Sequence, residues 1–280
     1  MQLPTPRVID QMHVQVYFAT RVNGKSHIGY CILQFDEASS EFYVVSVFEN
    51  FCQSPGPTGS YSQDGIHPSS IIEVDGRILM YTIGWIEGAS RPLFSASIGL
   101  SESNDGFLYE DRFHAPILDR GEHDITLVTS PCVVQGYDSP YEMFYTSGTG
   151  WVSDSIGGYD SRYHIKKAYS DDGLAWIRKG EVVIDYTSTI TNVARPAYFT
   201  DGEVKSLLFS FNDSRLKRYS LGIARLDQGS WKIEDPLHRL GEFDKNECAA
   251  YPAVFSLGPR NFLLINGIDR GKSGFSVYEL

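Results

Sequence analysis

A proline-centred unit returns five times along this chain and constrains its fold more than any other feature. One residue, a proline, two residues and an apolar position recur at Thr5-Pro6-Arg7-Val8-Ile9, at His67-Pro68, at Ser130-Pro131-Cys132-Val133-Val134, at Arg195-Pro196-Ala197-Tyr198-Phe199 and at Tyr251-Pro252-Ala253-Val254-Phe255. The prolines are 62, 63, 65 and 56 residues apart. Spacing this regular predicts five copies of one structural unit, none of which buries its own apolar face alone.

Each copy carries the same order of segments. A first strand follows the proline, which is tolerated where a strand begins because its missing N–H disturbs the ladder least there. Aromatic and aliphatic second strands follow at 13–19, 77–82, 141–146, 205–211 and 261–266. Third strands carry an apolar-glycine pair, Ile28-Gly29, Ile98-Gly99 and Leu221-Gly222, whereas the third copy has Ile165-Lys166. Outer fourth segments fall at 41–47, 108–113, 175–179 and 230–233, after turns such as Asn104-Asp105-Gly106 and Asp171-Asp172-Gly173. No segment longer than about ten residues keeps a helical period. The expectation is an all-β, single-domain, five-bladed β-propeller over 1–280, with blades near 1–54, 64–120, 125–185, 190–240 and 247–280. The last copy supplies three strands, so a three-stranded last blade is expected.

Composition narrows the partners. Hydrophobic residues make up 42% of the sequence and aromatics 13%, enough for a large β core. A net charge of −11 argues against nucleic acid and anionic membrane surfaces, which need a basic face. Neither a basic-then-apolar leader nor a run of spanning length is present, so no membrane insertion and a cytoplasmic location are expected. Cys31, Cys52, Cys132 and Cys248 are dispersed and are expected to be reduced packing residues. The histidines lack metal-ligand spacing and Gly148-Thr149-Gly150 lacks the context of a nucleotide loop, so neither metal nor cofactor is expected.

In a propeller the first strands line the axis, so their starts converge although some sixty residues separate them in sequence. Those starts carry Thr5, His67, Ser130, Arg195 and Tyr251, with Asp64 and Glu247 just upstream. Two acids with cationic and hydroxyl groups between them are thereby predicted at one mouth.

The motifs Asp64-Gly65-Ile66-His67-Pro68-Ser69-Ser70, Tyr81-Thr82-Ile83-Gly84-Trp85, Thr129-Ser130-Pro131-Cys132-Val133, Ser147-Gly148-Thr149-Gly150-Trp151, Arg162-Tyr163-His164-Ile165-Lys166, Arg195-Pro196 and Glu247-x-x-x-Tyr251-Pro252 together resemble a group of bacterial propellers. That group is similar to the five-bladed glycosidases, including arabinanases, fructosidases and mannoside phosphorylases. The resemblance spans nearly the whole sequence and implies a carbohydrate context, in some members linked to surface-polysaccharide assembly.

Glycoside cleavage needs two carboxylates across the scissile bond, about 5 Å apart for retention or about 6.5–9.5 Å for inversion. Asp64 and Glu247 are the candidates, with Arg195 or Lys166 holding one of them ionised; the alternative is that both cap loops. The glycosidases also place an acid on the inner strands, and no residue preceding the prolines here is a carboxylate. Glu87 is a candidate extra acid or a solvated loop residue.

A second set, His67, Tyr163, His164, Lys166 and Arg195, suits a phosphate or a sugar carboxylate; alternatively it neutralises the two acids. Trp85 and Trp151 are candidates to stack on a sugar ring or to pack, while Trp176 and Trp231 are expected to pack between blades. Ser130 and Tyr251 complete the predicted binding groups. The expected ligand is a carbohydrate or sugar phosphate. Three functions fit: a glycosidase or glycoside phosphorylase-like enzyme, a non-catalytic glycan-binding or polysaccharide-assembly propeller, and a sugar transferase or sugar-modifying enzyme holding a phosphorylated donor.

Overall fold

The computed structural model describes residues 1–88, 94–136, 138–153, 158–213, 218–234, 249–266 and 271–280, with backbone alone at Asp213 and Arg218. The first blade comprises β1 (Gln2–Val8), β2 (His13–Val22), β3 (Lys25–Asp36) and β4 (Glu41–Val47). The second holds β5 (Gly65–Val74), β6 (Arg77–Glu87), β7 (Phe94–Ser103) and β8 (Glu110–Asp111), and the third β9 (Val128–Gln135), β10 (Tyr141–Ser153), β11 (Tyr159–Ser170) and β12 (Ile177–Ile184). The fourth has β13 (Ile190–Asp201), β14 (Val204–Asp213), β15 (Arg218–Asp227) and β16 (Ser230–Glu234); the fifth has β17 (Ala250–Leu257), β18 (Arg260–Asn266) and β19 (Phe275–Glu279). Within each blade the strands pair antiparallel in sequence order.

The five innermost strands form a closed ring. β1 touches β5, β5 touches β9, β9 touches β13, β13 touches β17, and β17 returns to β1. The core is correspondingly divided into five layers, one at each blade interface. Leu79, Leu100, Val133 and Met143, for example, lie between blades two and three, and Val16, Leu33, Phe255 and Leu264 between blades one and five. Trp176 packs edge-on to Tyr81 and Trp231 edge-on to Phe144, each between neighbouring blades, as expected. Cys31 and Cys52 are free and buried in such layers, and burial pushes their thiols up to about 11 and about 12.

Four of the five proline units sit at a break in the inner ladder, and in the first blade the break falls at Leu3-Pro4, two residues before the expected Thr5-Pro6. Register shifts fall between Gln2 and Thr5, between Pro68 and Ser70, opposite Phe144 to Thr146, between Ala194 and Ala197, and between Ala250 and Ala253. Such bulges add an unpaired residue and re-aim a side chain. In three blades the residue before the proline is left-handed: Ser130 at φ 51°, Arg195 at 53° and Tyr251 at 56°. In the first blade Leu3 takes that conformation instead, at 54°. A left-handed residue interrupts the two-residue alternation of faces, turning side chains at the ring out of the blade plane.

A turn fixes blade to blade. Gly106 and Gly173, at φ 82° and 72°, donate their amides to Ser103 Oγ and Ser170 Oγ in left-handed geometry that glycine adopts without strain. Their carbonyls accept the hydroxyls of Tyr17 and Tyr81 from the preceding blade at 2.7 and 2.9 Å. The same turn moves the outer strands from their expected limits. Asp172 binds the amides of Leu174 and Ala175, so β12 starts only at Ile177, and Asp105 holds Phe107 in the same way, so β8 shrinks to two residues.

Among the described residues the ring closes through a buried side chain rather than a shared strand. Asn266, fully buried at the end of β18, accepts the Leu3 amide at 2.9 Å and donates to the Met1 and Gly274 carbonyls at 3.0 and 2.7 Å. Blades one and two are joined by a parallel bridge, Ser26 opposite Gly65. Among the described residues no helix is long and apolar enough to cross a membrane.

Candidate functional site at the mouth of the ring

The starts of the inner strands and the hairpins between second and third strands lie at one end of the ring, as the antiparallel registers require. Near that end Arg195 crosses the axis. Its backbone N–H donates to Thr146 Oγ1 in blade three at 3.2 Å. Nη1 donates to Pro68 O and Ser69 Oγ of blade two at 3.3 and 2.7 Å, and Nη2 to Pro4 O and Thr5 Oγ1 of blade one at 3.3 and 3.0 Å. Ser69 passes the link on by donating to Pro131 O of blade three. Arg195 is 2% exposed, and burial is the main cause that lowers its guanidinium to about 10. Among the described residues its hydrogen-bond acceptors are all neutral. The expected ligand-binding arginine is thus a buried strut of the ring.

The Asp64–Ser70 stretch has a different design. The register runs Arg21, Ser26, Gly65, Trp85 across four successive strands. A Cβ on Gly65 would come within 2.0 Å of Trp85 Nε1, so only glycine lets the indole lie against this strand. The Arg21 guanidinium stands 5.3 Å from the indole centroid. The Gly65 strand and Arg21 therefore occupy part of the surface that sugar stacking on Trp85 would need. His67, two residues beyond Gly65 and so on the same face, buries its Nε2 without a partner among the described residues. Burial, then the charges of Arg21 and Arg195, pull its imidazole down to about 4. Asp64 Oδ2 accepts the Glu87 amide at 2.9 Å and Gln63 Nε2 at 3.3 Å, tying the start of β5 to the end of β6. Glu87 enters this link through its backbone.

Lys166 and His164 are held elsewhere. Lys166 lies on a third strand, so it does not face the axis; its Nζ bonds the His123 carbonyl and stands 3.6 Å from Asp124 Oδ1. Asp124 is fully buried and is also bound by Arg178 at 2.8 Å and by the Tyr145 hydroxyl. A buried carboxylate in the preceding loop meets the cost of burying this lysine. His164 Nδ1 pairs with Asp185 at 3.0 Å and its Nε2 is buried without a partner among the described residues. Tyr163 shares a 2.6 Å bond with the Tyr219 hydroxyl of blade four. The expected grouping of His164, Lys166 and Arg195 is therefore dispersed over three separate sets of partners.

Trp151 is half-buried, edge-on to Phe94 at 5.6 Å, in an apolar cluster with Leu3, Ala19, Ile83, Ala96, Leu127 and Tyr251. Tyr251 donates its amide to Ser210 Oγ at 2.9 Å, and Ser130 is buried at the ring. Glu247 and Cys248 lie outside the described residues. Arg21, Asp124 and Asn266 were not legible as site or ring residues, since nothing in the spacing of one sequence says which side chains meet across a blade interface.

Several buried polar atoms in the mouth half of the ring lack partners among the described residues. Of twelve among the described residues, seven lie in this half: His67 Nε2, Trp85 Nε1, Thr126 Oγ1, Ser147 Oγ, His164 Nε2, Asn192 Oδ1 and Asn212 Oδ1. Buried polar groups are otherwise nearly always satisfied, so each of these seven atoms is a free hydrogen-bonding position open to a polar ligand. Among the described residues no cluster of His, Cys, Asp and Glu has the arrangement to hold a metal ion.

No family model matches the sequence. Two Mycobacterium tuberculosis sequences, the uncharacterized proteins MT1551 (strain CDC 1551) and Rv1502 (strain H37Rv), are each 26% identical over 285 residues, covering 99% of this chain and 91% of theirs. Among solved structures, a complex of BT0996 with RGII aligns with a TM-score of 0.71 at 14% identity, over 99% of this chain and 86% of its own. The endo-arabinase of Bacteroides thetaiotaomicron aligns at 0.66 with 10% identity, over 100% and 94%. The fold is that of the propeller glycoside hydrolases.

Proposed function

We propose that this protein is carbohydrate-active, binding a glycan at the mouth of the ring and acting on its glycosidic bond. The carrying observation is the set of seven unpartnered buried polar atoms in the mouth half of a glycoside hydrolase fold. Hydroxyl-rich ligands match a mixed set of donors and acceptors such as indole N–H, imidazole, amide and hydroxyl groups. Solved neighbours include the RGII complex of BT0996 and a Bombyx mori β-fructofuranosidase variant in complex with sucrose.

In this reading Asp64 and Glu247 act as the acid–base pair. Among the described residues both side-chain hydrogen bonds of Asp64 fall on Oδ2, which orients the carboxylate and leaves Oδ1 for substrate or water. One carboxylate takes the proton of the attacking water or itself attacks the anomeric carbon, and the other protonates the departing oxygen. Release of nitrophenol from a panel of nitrophenyl arabinosides, fructosides and mannosides, with and without phosphate, tests this. Asp64→Asn and Glu247→Gln are each expected to lower turnover at least 100-fold, and unchanged turnover in both variants rules out the pair.

A second reading is a glycan-binding propeller without catalysis. It is favoured by the ring positions Thr5, His67, Ser130, Arg195 and Tyr251, none of which is a carboxylate. Calorimetric binding of a glycan with no product on long incubation would select it. A transferase holding a phosphorylated donor through Lys166 draws no support from the Asp124 pair that occupies the lysine.

A further inference from the structure

We infer that the mouth selects a sugar bearing an acidic substituent, a carboxylate or a phosphate, and that Arg21 beside His67 is the specificity-determining pair. The inference rests on the carbohydrate reading above and names the ligand class for the same site. Arg21 is exposed at the end of β2, held over Trp85, and forms no ion pair among the described residues. The register sets it in the row of Gly65, and His67 follows two residues along that face with a buried, unpartnered Nε2. Behind them stands the Arg195 guanidinium, buried against neutral oxygens.

A protein of net charge −11 therefore presents, at this point, one exposed arginine and an imidazole, with the buried Arg195 behind them. A guanidinium fork matches the geometry of carboxylate and phosphate oxygens, and Arg21 is held in place over the indole without a carboxylate partner among the described residues. His67 Nε2 adds a donor or an acceptor according to tautomer, beside the place where the anionic oxygens meet Arg21. Asp64, whose Oδ2 is fixed to the Glu87 amide, stays available for the uncharged part of the ligand.

Imidazole nitrogen–proton correlation spectra of the 15N-labelled protein test the inference, with the His67 signals assigned by their loss in His67→Asn. Inorganic phosphate, glucuronate and glucose are titrated at constant ionic strength, with chloride and sulfate as controls. Phosphate and glucuronate are expected to move the His67 signals saturably while glucose does not, and Arg21→Gln is expected to weaken both anions at least tenfold. Anions that leave His67 unmoved, or that bind Arg21→Gln as tightly as the parent, overturn the inference. Equal responses to chloride or sulfate also overturn it and mean an adventitious ion only. Saturable binding of glucose with both anions silent overturns it while the carbohydrate reading stands. A phosphate response with none to glucuronate or any neutral glycan supports the anion pair and removes the carbohydrate reading.

Discussion

Arg195 and Thr5 meet across the ring, guanidinium Nη2 donating to hydroxyl Oγ1 at 3.0 Å although 190 residues separate them. Thr5 in turn bonds the carbonyl of Leu3, whose amide is held by Asn266, so a single hydrogen-bonded path runs from blade four through blade one to blade five. The ring is thus fastened near its axis by one planar fork and at its seam by one carboxamide.

Replacing Arg195 by lysine keeps the charge and removes the fork. One ammonium on a shorter stem does not serve both the Thr5 and Ser69 arcs, so buried acceptors lose their donors. A loss of roughly 2–4 kcal/mol is expected, measured by urea denaturation. Stability within 0.5 kcal/mol of the parent, roughly the range of a neutral surface change, would show that the strut is dispensable.

Gly65→Ala sets a methyl where the Trp85 indole lies. Something must shift, because the nearest indole atoms would stand 2.0 and 2.6 Å from the new Cβ. The ring is expected to swing out and release Arg21, with a loss of about 1–3 kcal/mol and a red shift of tryptophan emission. Adding Trp85→Ala should return most of the loss, since the clash then has no partner. A double variant no more stable than the sum of the two single losses predicts would place the strain elsewhere.

His67 gives stability a pH dependence of known sign. Its folded pKa of about 4 lies below the unfolded value near 6.5, so the unfolded state takes up a proton that the fold excludes. The contribution is full above about pH 6.5 and is lost as pH falls toward 4, on the order of 2 kcal/mol. The groups acting on the imidazole are Arg21 from β2 and Arg195 from β13, both cations, which keep it neutral. Stability curves of the parent and His67→Asn should converge from pH 7 to pH 4.5, and parallel curves would refute the assignment.

Much of the architecture is readable before any coordinates. The five prolines announce five inner strands because four of them stand at the ladder break and the first stands two residues past it, and the aromatic runs after them are the second strands because each must fill a layer between blades. The site is readable only in part. Asp64, Gly65 and His67 are set beside one another by their order in the sequence, and they remain together in space. Lys166 shows the limit: as a polar residue in a glycine position it signals a special contact, yet the partner, Asp124, lies in a connecting loop with no periodicity to align.

The sequence by itself determined the repeat, the all-β class and the place of each inner strand. Only the tertiary structure decided which side chains meet. A strand period of two says which face a side chain takes, but bulges at the ring reverse that alternation, and the left-handed turn at Arg195 sends its guanidinium across the axis instead of into the mouth. Contacts between blades depend on how two twisted sheets come together, a relation between distant segments that local spacing does not encode. For that reason Arg21 and Trp85, 64 positions apart, became neighbours of His67, while Lys166 and Arg195 were drawn into separate buried networks.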